Sequence, residues 1–249
     1  MPAALLSDAL VLTVQAVIPA TPTTRVVRLD LKGATFAFEA GQAALIGPAE
    51  LDIRIPYSIA SAPTETREHG WLDFLVKVEP SGRWGHQFDA VAPGSRVGIQ
   101  GPFGSFLFPG RPAERHFLFI AGGTGIAPIR AMIKEALLRR QGGRMRLLYS
   151  AKTGDDFAYL PELGEMATQP RQDGALDLRL HVTRETPEAT ATTFSKAERG
   201  RITLSQLAPL IDDPATLCFV CGPETMVADV PCMLSELGID RSRVRVEEW

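Results

Sequence analysis

Cysteine is scarce in this 249-residue chain, with only Cys218, Cys221 and Cys232, all near one end. An odd and low number, clustered in this way, does not make a disulfide framework. Cys218 and Cys221 have C-x-x-C spacing, but they fall inside TLCFVC, an apolar run that reads as a buried strand. No second cysteine or histidine pair stands nearby to complete a tetrahedral site, so no metal is expected. No C-x4-C-x2-C run occurs either, so the chain carries no plant-type iron–sulfur module of its own. Charge of one sign is also lacking: 26 Lys and Arg against 29 Asp and Glu leave a net charge of −3. Without a basic run, binding nucleic acid by neutralising phosphates is not expected. No window approaches the roughly 18 uninterrupted apolar residues of a membrane span. The first residues, MPAALLSDALVLTVQAVIPA, are apolar but have no positive leading segment, and Asp8 interrupts them. A cytoplasmic protein is expected.

What is present is a globular composition, 45% hydrophobic and 22% charged, with two halves of different grammar. From Ala9 to about Pro109, short runs such as RVVRLDL, QAALIG, YSIAS, WLDFLVKV and RVGIQG are separated by TPTT, KGA, GPAE, SAPTE and APGS. Short β-branched runs bounded by Gly and Pro predict an antiparallel barrel or sandwich. One helix is expected among them, from about Trp84 to Ala90. After GRPAER (110–115) the pattern changes to apolar runs, HFLFIAGG, RMRLLYS, LDLRLHVT and TLCFVCG. These alternate with the helical segments IAPIRAMIKEALLRR, DFAYLPELGEMA, LSQLAPLI and ETMVADVPCMLSELG, and VRVEEW closes the chain. Ile126, Ile129, Ile133 and Leu137 recur at helical spacing. This alternation predicts a doubly wound parallel sheet. The expected organisation is a barrel domain over residues 1–111 and an α/β domain over 112–249.

Five stretches carry chemistry. AGGTGIAP (121–128) joins an apolar strand to a helix, and its glycines allow a tight turn and close approach of a ligand. A pyrophosphate could sit at the helix N-terminus that follows, although the spacing is not G-x-G-x-x-G and a purely structural turn gives the same pattern. Cys221-Gly222-Pro223-Glu224-Thr225-Met226 repeats the arrangement about a hundred residues later, and two such turns could line one crevice at strand carboxyl ends. Thr183-Arg184 and Arg199-Gly200-Arg201 offer guanidinium groups that could fork onto a phosphate or simply be solvated. The fifth stretch, RIPYSIASAP (54–63), places Tyr57 and Ser58 where a core strand has no use for hydroxyls.

Taken jointly, these residues resemble the ferredoxin–NADP reductase superfamily over nearly the whole chain. The marks are Y-S-I-A-S at 57–61, G-x-x-x-x-x-F at 82–88, GPFGSF at 101–106, GGTGIAP at 122–128, CGPETM at 221–226, and a final aromatic residue. The resemblance implies a six-stranded FAD-binding antiparallel barrel followed by an NAD(P)-binding α/β domain. It implies that Tyr57 packs on the flavin and that the Ser58 hydroxyl bonds near flavin N5. Ile59, Val76, Lys77, Val78, Gly82, Arg83, Trp84 and Gly85 complete the expected flavin site. The nucleotide would engage Gly122, Gly123, Thr124, Gly125, Pro128, Gly222, Pro223 and Met226, with Thr183, Arg184 and Arg201 favouring NADP over NAD. Cys221 would lie beside the reacting nicotinamide carbon. Glu247 would relay a proton, and Trp249 would stack on the flavin face.

The chain departs from the pattern at one position. Members of the superfamily usually place Arg two residues before the tyrosine, to pair with the flavin phosphate. Here Ile55 stands there and Arg54 comes three before, which in a regular strand points to the opposite face, so Arg54 binds the cofactor only where a bulge at Pro56 re-aims it. Arg83 or Lys77 is expected to supply the missing charge, with Gly85 removing a further hydroxyl. The function implied is transfer of electrons from NADPH, or NADH, by hydride transfer to flavin N5. Electrons then pass to a separate one-electron acceptor, ferredoxin or flavodoxin first and an oxygenase component second. A free-flavin or ferric-siderophore reductase and a non-catalytic flavoprotein subunit are the other classes the resemblance leaves open.

Overall fold

The computed structural model describes residues 10–51, 53–78, 88–141, 143–169, 176–184 and 197–248. Two compact units share the chain: one runs to Phe108 and takes in Arg130–Glu135, and the other holds Pro109–Ile129 and everything from Ala136 onward.

The first unit is built on six antiparallel strands: β1 (Leu10–Thr21), β2 (Thr24–Asp30), β3 (Ala43–Pro48), β4 (Ile55–Ser58), β5 (Trp71–Lys77) and β6 (Arg96–Phe103). Their order is β4-β3-β6-β1-β2-β5. An antiparallel bridge from Ile59 to Phe74 ties the end of β4 to β5, the opposite edge, so the sheet curls into a barrel. Register shifts in β1 between Val14 and Ala16 and between Pro19 and Thr21 let this long strand bend around the barrel. Val14, Leu29, Ile46, Leu72, Phe74 and Ile99 fill the interior.

One element differs from expectation. SAPTE, which reads as a break between strands, opens a helix, α1 (Pro63–His69), that ends on Gly70 in the left-handed region. Its start carries no Ser, Thr, Asp or Asn cap. Instead, the Glu65 carboxylate accepts the Ala62 N–H at 3.0 Å, and Pro63 supplies a preset φ at the first position. The helix expected at Trp84–Ala90 lies mostly outside the described residues.

The second unit contains a six-stranded parallel sheet: β7 (His116–Gly122), β8 (Arg144–Ala151), β9 (Leu176–Val182), β10 (Glu198–Arg199), β11 (Leu217–Gly222) and β12 (Val244–Glu248). The order is β10-β9-β8-β7-β11-β12. The chain therefore builds outward from β7 in one direction and returns to its other side at β11. The helices are α2 (Ile126–Leu138), α3 (Leu160–Thr168), α4 (Leu204–Leu207) and α5 (Glu224–Glu236). Alternation along the central strands serves both faces. Leu118, Ile120, Leu148 and Val220 join a core with Val230 and Leu234, while the rings of Phe119 and Phe219 stack at 5.2 Å.

DFAYLPELGEMA is not one helix. A 3-10 turn at Gly154–Asp156 is followed by extended Phe157 and by Tyr159 at φ 60°, and α3 starts only at Leu160. Buried Phe157 and Ala158 anchor the segment against the core, and Pro161 then sets the helix start. The two-residue strand β10 was also not foreseen; its partner residues, His181 and Val182, supply the pairing edge.

Candidate functional site

In the barrel unit, β4 carries Tyr57 and Ser58. Tyr57 is half-buried and meets Phe88 edge-on at 5.7 Å, and burial pushes its phenol up to about 12. Ser58 is 4% exposed, and its hydroxyl has no hydrogen-bond partner among the described residues. A buried hydroxyl without a partner is costly, on the order of 1–3 kcal/mol, and calls for a ligand group to satisfy it. The hydroxyl can donate to or accept from a heterocyclic nitrogen, and the adjacent tyrosine offers a flat face, so this pair fits a bound flavin. The segment just beyond is firmly held: Ile59 N–H donates to Gln42 O at 2.9 Å and Ala60 N–H to Asp73 O at 2.8 Å.

The remaining barrel candidates are placed as follows. Ile59 and Val76 are fully buried in the barrel core, and Lys77 is exposed. The Val78 N–H is committed to Thr23 O at 2.8 Å, and its side chain packs on the core. Arg54 folds back on its own loop: its guanidinium donates to the carbonyls of Pro48, Leu51 and Ile53. It also lies so close over Gly98 that a Cβ there would come within 2.4 Å of it. Gly82, Arg83, Trp84, Gly85 and Trp249 lie outside the described residues.

In the α/β unit, the two glycine turns meet at the carboxyl ends of β7 and β11, adjacent strands on either side of the reversal in strand order. The contact is backbone against backbone. A Cβ on Gly125 would lie 2.3 Å from Cys221 O. A Cβ on Gly122 would meet Pro223 and Met226 at 2.8 Å, and one on Gly222 would meet the Met226 sulfur at 2.8 Å. By contrast, Gly123 has φ +54° and open space around it. This leaves one bare backbone face in front of a helix start, the geometry that accepts a pyrophosphate. Pro128 is buried in the first turn of α2, and Thr124 is partly exposed.

A residue without a sequence signal of its own fastens this turn. Tyr149, buried on β8, donates its hydroxyl to Gly123 O at 3.2 Å and accepts the Ala158 N–H at 3.1 Å. Burial raises its phenol well above the usual value, so it stays a neutral donor. The only hint in the sequence is a hydroxyl at the end of the otherwise apolar run RMRLLYS.

Cys221 and Glu247 are register partners across β11 and β12. Burial, and then the Glu247 carboxylate, push the Cys221 thiol well above its ordinary 9.0. It is a neutral S–H rather than a thiolate nucleophile. Cys218 is likewise raised to about 12 by burial, as its place inside β11 requires.

The outer strands gather cations. Thr183 N–H and its hydroxyl both donate to Ala151 O, and Arg184 N–H donates to Lys152 O at 2.8 Å. Gly200 N–H donates to Val182 O at 3.0 Å. These bonds bring the exposed chain ends after β8, β9 and β10 side by side, and with them Lys152, Arg184, Arg199 and Arg201. Lys152 was not singled out from sequence, because only the strand pairing reveals its neighbours.

Comparison with known proteins agrees with this geometry. Residues 11–108 match the oxidoreductase FAD-binding domain family and residues 119–231 the oxidoreductase NAD-binding domain family. The chain is 30% identical over 239 residues to ferredoxin–NADP reductase B of Sorangium cellulosum, covering 94% of this chain and 95% of that one. It is 27% identical over 245 residues to oxidoreductase NAD-binding domain-containing protein 1 of Danio rerio, covering 94% and 89%. Among solved structures, the Amycolatopsis cytochrome P450 reductase superposes with a TM-score of 0.80 at 25% identity, over 97% of this chain and 69% of that one. With an FAD-binding barrel followed by an NAD-binding parallel sheet, the chain belongs to the ferredoxin reductase-like family of oxidoreductases.

Proposed function

We propose that this protein takes electrons from NADPH through FAD and delivers them to a separate one-electron carrier, ferredoxin or flavodoxin. The reading rests above all on the meeting of the two glycine turns at β7 and β11, with Cys221 and Glu247 beside them. When bound, FAD accepts an electron pair from the reduced nicotinamide and releases electrons singly, and this chemistry belongs to the cofactor.

The chain's part is to bind and orient. Tyr57 gives the isoalloxazine a flat partner, and the Ser58 hydroxyl satisfies its own missing hydrogen bond there. The bare backbone at Gly123 receives the pyrophosphate, and Tyr149 keeps that backbone in place. Neutral Cys221 flanks the nicotinamide without attacking it. Glu247 holds a proton-accepting carboxylate next to that thiol, and Trp249 would be the residue that stacks on the flavin. Backbone contacts, stacking, and Arg83 or Lys77 hold the flavin phosphates, while Arg54 turns its Nη1 onto its own loop carbonyls.

The preference for NADPH is supported by Lys152, Arg184 and Arg201 beside the ends of β8 to β10, where an adenosine 2′-phosphate would be gripped. The carrier is supported by the Sorangium relative, which matches over almost its whole length, and by the lack of a plant-type iron–sulfur run in this chain. The Amycolatopsis reductase favours a second reading, in which the acceptor is an oxygenase component. A cytoplasmic location accords with either acceptor. The test is steady-state turnover with NADPH and NADH against purified ferredoxin, flavodoxin and ferricyanide. The reading expects a lower KM for NADPH and turnover with a protein carrier. Turnover with ferricyanide alone, or a preference for NADH, overturns the corresponding part.

A further inference from the structure

A buried ion pair holds the backbone two residues after Ser58. Arg130, at the centre of α2 and 4% exposed, donates to Glu65 Oε1 at 2.9 Å, pairs also with Oε2, and donates to Ala60 O at 3.0 Å. Glu65, 6% exposed, accepts the Ala62 N–H as well. Glu135, one turn further along α2 and also buried, accepts the Thr64 N–H at 2.8 Å and the Thr64 hydroxyl at 3.0 Å. From the other side, Arg28 grips Asp73 with two bonds of 2.8 Å, and the Asp73 backbone holds Ala60 and the Ser61 hydroxyl. The segment from 59 to 62 is therefore held through the backbone of Ile59, Ala60 and Ala62 and the hydroxyl of Ser61. Two residues earlier than the Ala60 carbonyl stands Ser58, whose buried hydroxyl has no partner among the described residues.

Burying two charges this deeply stabilises a fold little compared with an apolar pair of equal volume. Its distinctive product is a fixed geometry. A guanidinium bonded simultaneously to a carboxylate fork and a carbonyl permits one placement of that carbonyl. We propose that Arg130, with Glu65, is a positioning residue for Ser58: the pair locks the Ala60–Ala62 backbone so that the serine hydroxyl is held in register for its ligand. This deepens the flavin reading above and rests on it for the identity of that ligand.

The test is a mutant cycle with Arg130→Met, Ser58→Ala and the double variant. Glu65→Met/Arg130→Met serves as the variant that replaces the whole pair with apolar volume and keeps the fold. Two readouts are taken: amide hydrogen exchange of residues 58–62 in the flavin-free protein, and FAD affinity with turnover on ferricyanide. Arg130→Met, and the apolar pair, are expected to raise exchange in 58–62 at least about tenfold while distant strands stay protected. Turnover is expected to fall about tenfold in the Ser58 background and less than about twofold in the Ser58→Ala background, since residues acting through one another are non-additive. Arg130→Lys should recover part of the loss. Equal losses in both serine backgrounds, or unchanged exchange in 58–62, overturn the inference. If the wild-type protein binds no FAD, the flavin reading fails by itself, and the exchange readout still decides whether the pair fixes the segment.

Discussion

Cys221 and Glu247 face each other across neighbouring parallel strands, and the carboxylate adds to burial in holding the thiol protonated. Substituting Glu247→Gln removes the second cause but not the first, so Cys221 remains a poor nucleophile. With iodoacetamide at mildly alkaline pH, the native protein is expected to label at exposed Cys232 and to spare Cys218 and Cys221. Labelling of all three should require denaturant. Rapid labelling of Cys221 in the native protein would contradict this assignment.

The raised thiols also set an alkaline limit on stability. Cys218 has a folded pKa of about 12 against an ordinary 9.0. Its contribution is complete below pH 9 and is lost as pH climbs from there toward the folded value, because only the unfolded chain then releases the proton. The slope is about 1.4 kcal/mol per pH unit. Urea midpoints measured from neutral to strongly alkaline pH should fall, and less steeply in Cys218→Ala.

Gly125 and Gly123 make opposite predictions although they stand two residues apart. Alanine at 125 places a methyl 2.3 Å from Cys221 O, so the two turns must separate. Overpacking of this kind costs about 1–3 kcal/mol and should weaken nucleotide binding sharply. Alanine at 123 meets no atom of the described residues but must adopt φ +54°, a cost of about 1 kcal/mol. Melting temperature and NADPH KM separate the two.

Arg184→Ala and Arg201→Ala should each raise KM for NADPH about tenfold, the scale of one lost charge-assisted bond, and leave NADH nearly unchanged. Equal effects on both nucleotides would remove these arginines from phosphate recognition.

Arg54→Ala should retain flavin on desalting, because its guanidinium serves the loop carbonyls of Pro48, Leu51 and Ile53. Arg83→Ala should release it. The reverse pattern would return the phosphate to Arg54.

The two-domain plan and the glycine turns were legible in the sequence because their causes are local. A strand buried on both faces must be continuously apolar, and a turn packed backbone to backbone must lack Cβ atoms, as Gly122, Gly125 and Gly222 do. The direction of Arg54 was not legible from strand alternation, because β4 begins only at Ile55 and the loop carbonyls of Pro48 and Ile53 draw the guanidinium. Nor was helix α1, because its start depends on Glu65, whose carboxylate is held by Arg130, 65 residues further on. Tyr149 and Lys152 were hidden for the same reason: a strand's neighbours are fixed by sheet order, which no local pattern encodes.

The proposed function requires hydride transfer from NADPH to FAD held by this polypeptide. Its decisive measurement is anaerobic addition of NADPH to the pure protein after incubation with FAD and desalting. A yellow protein is expected, with a visible flavin band that bleaches within the time of mixing. A colourless protein, or a yellow one that neither NADPH nor NADH bleaches, would contradict it.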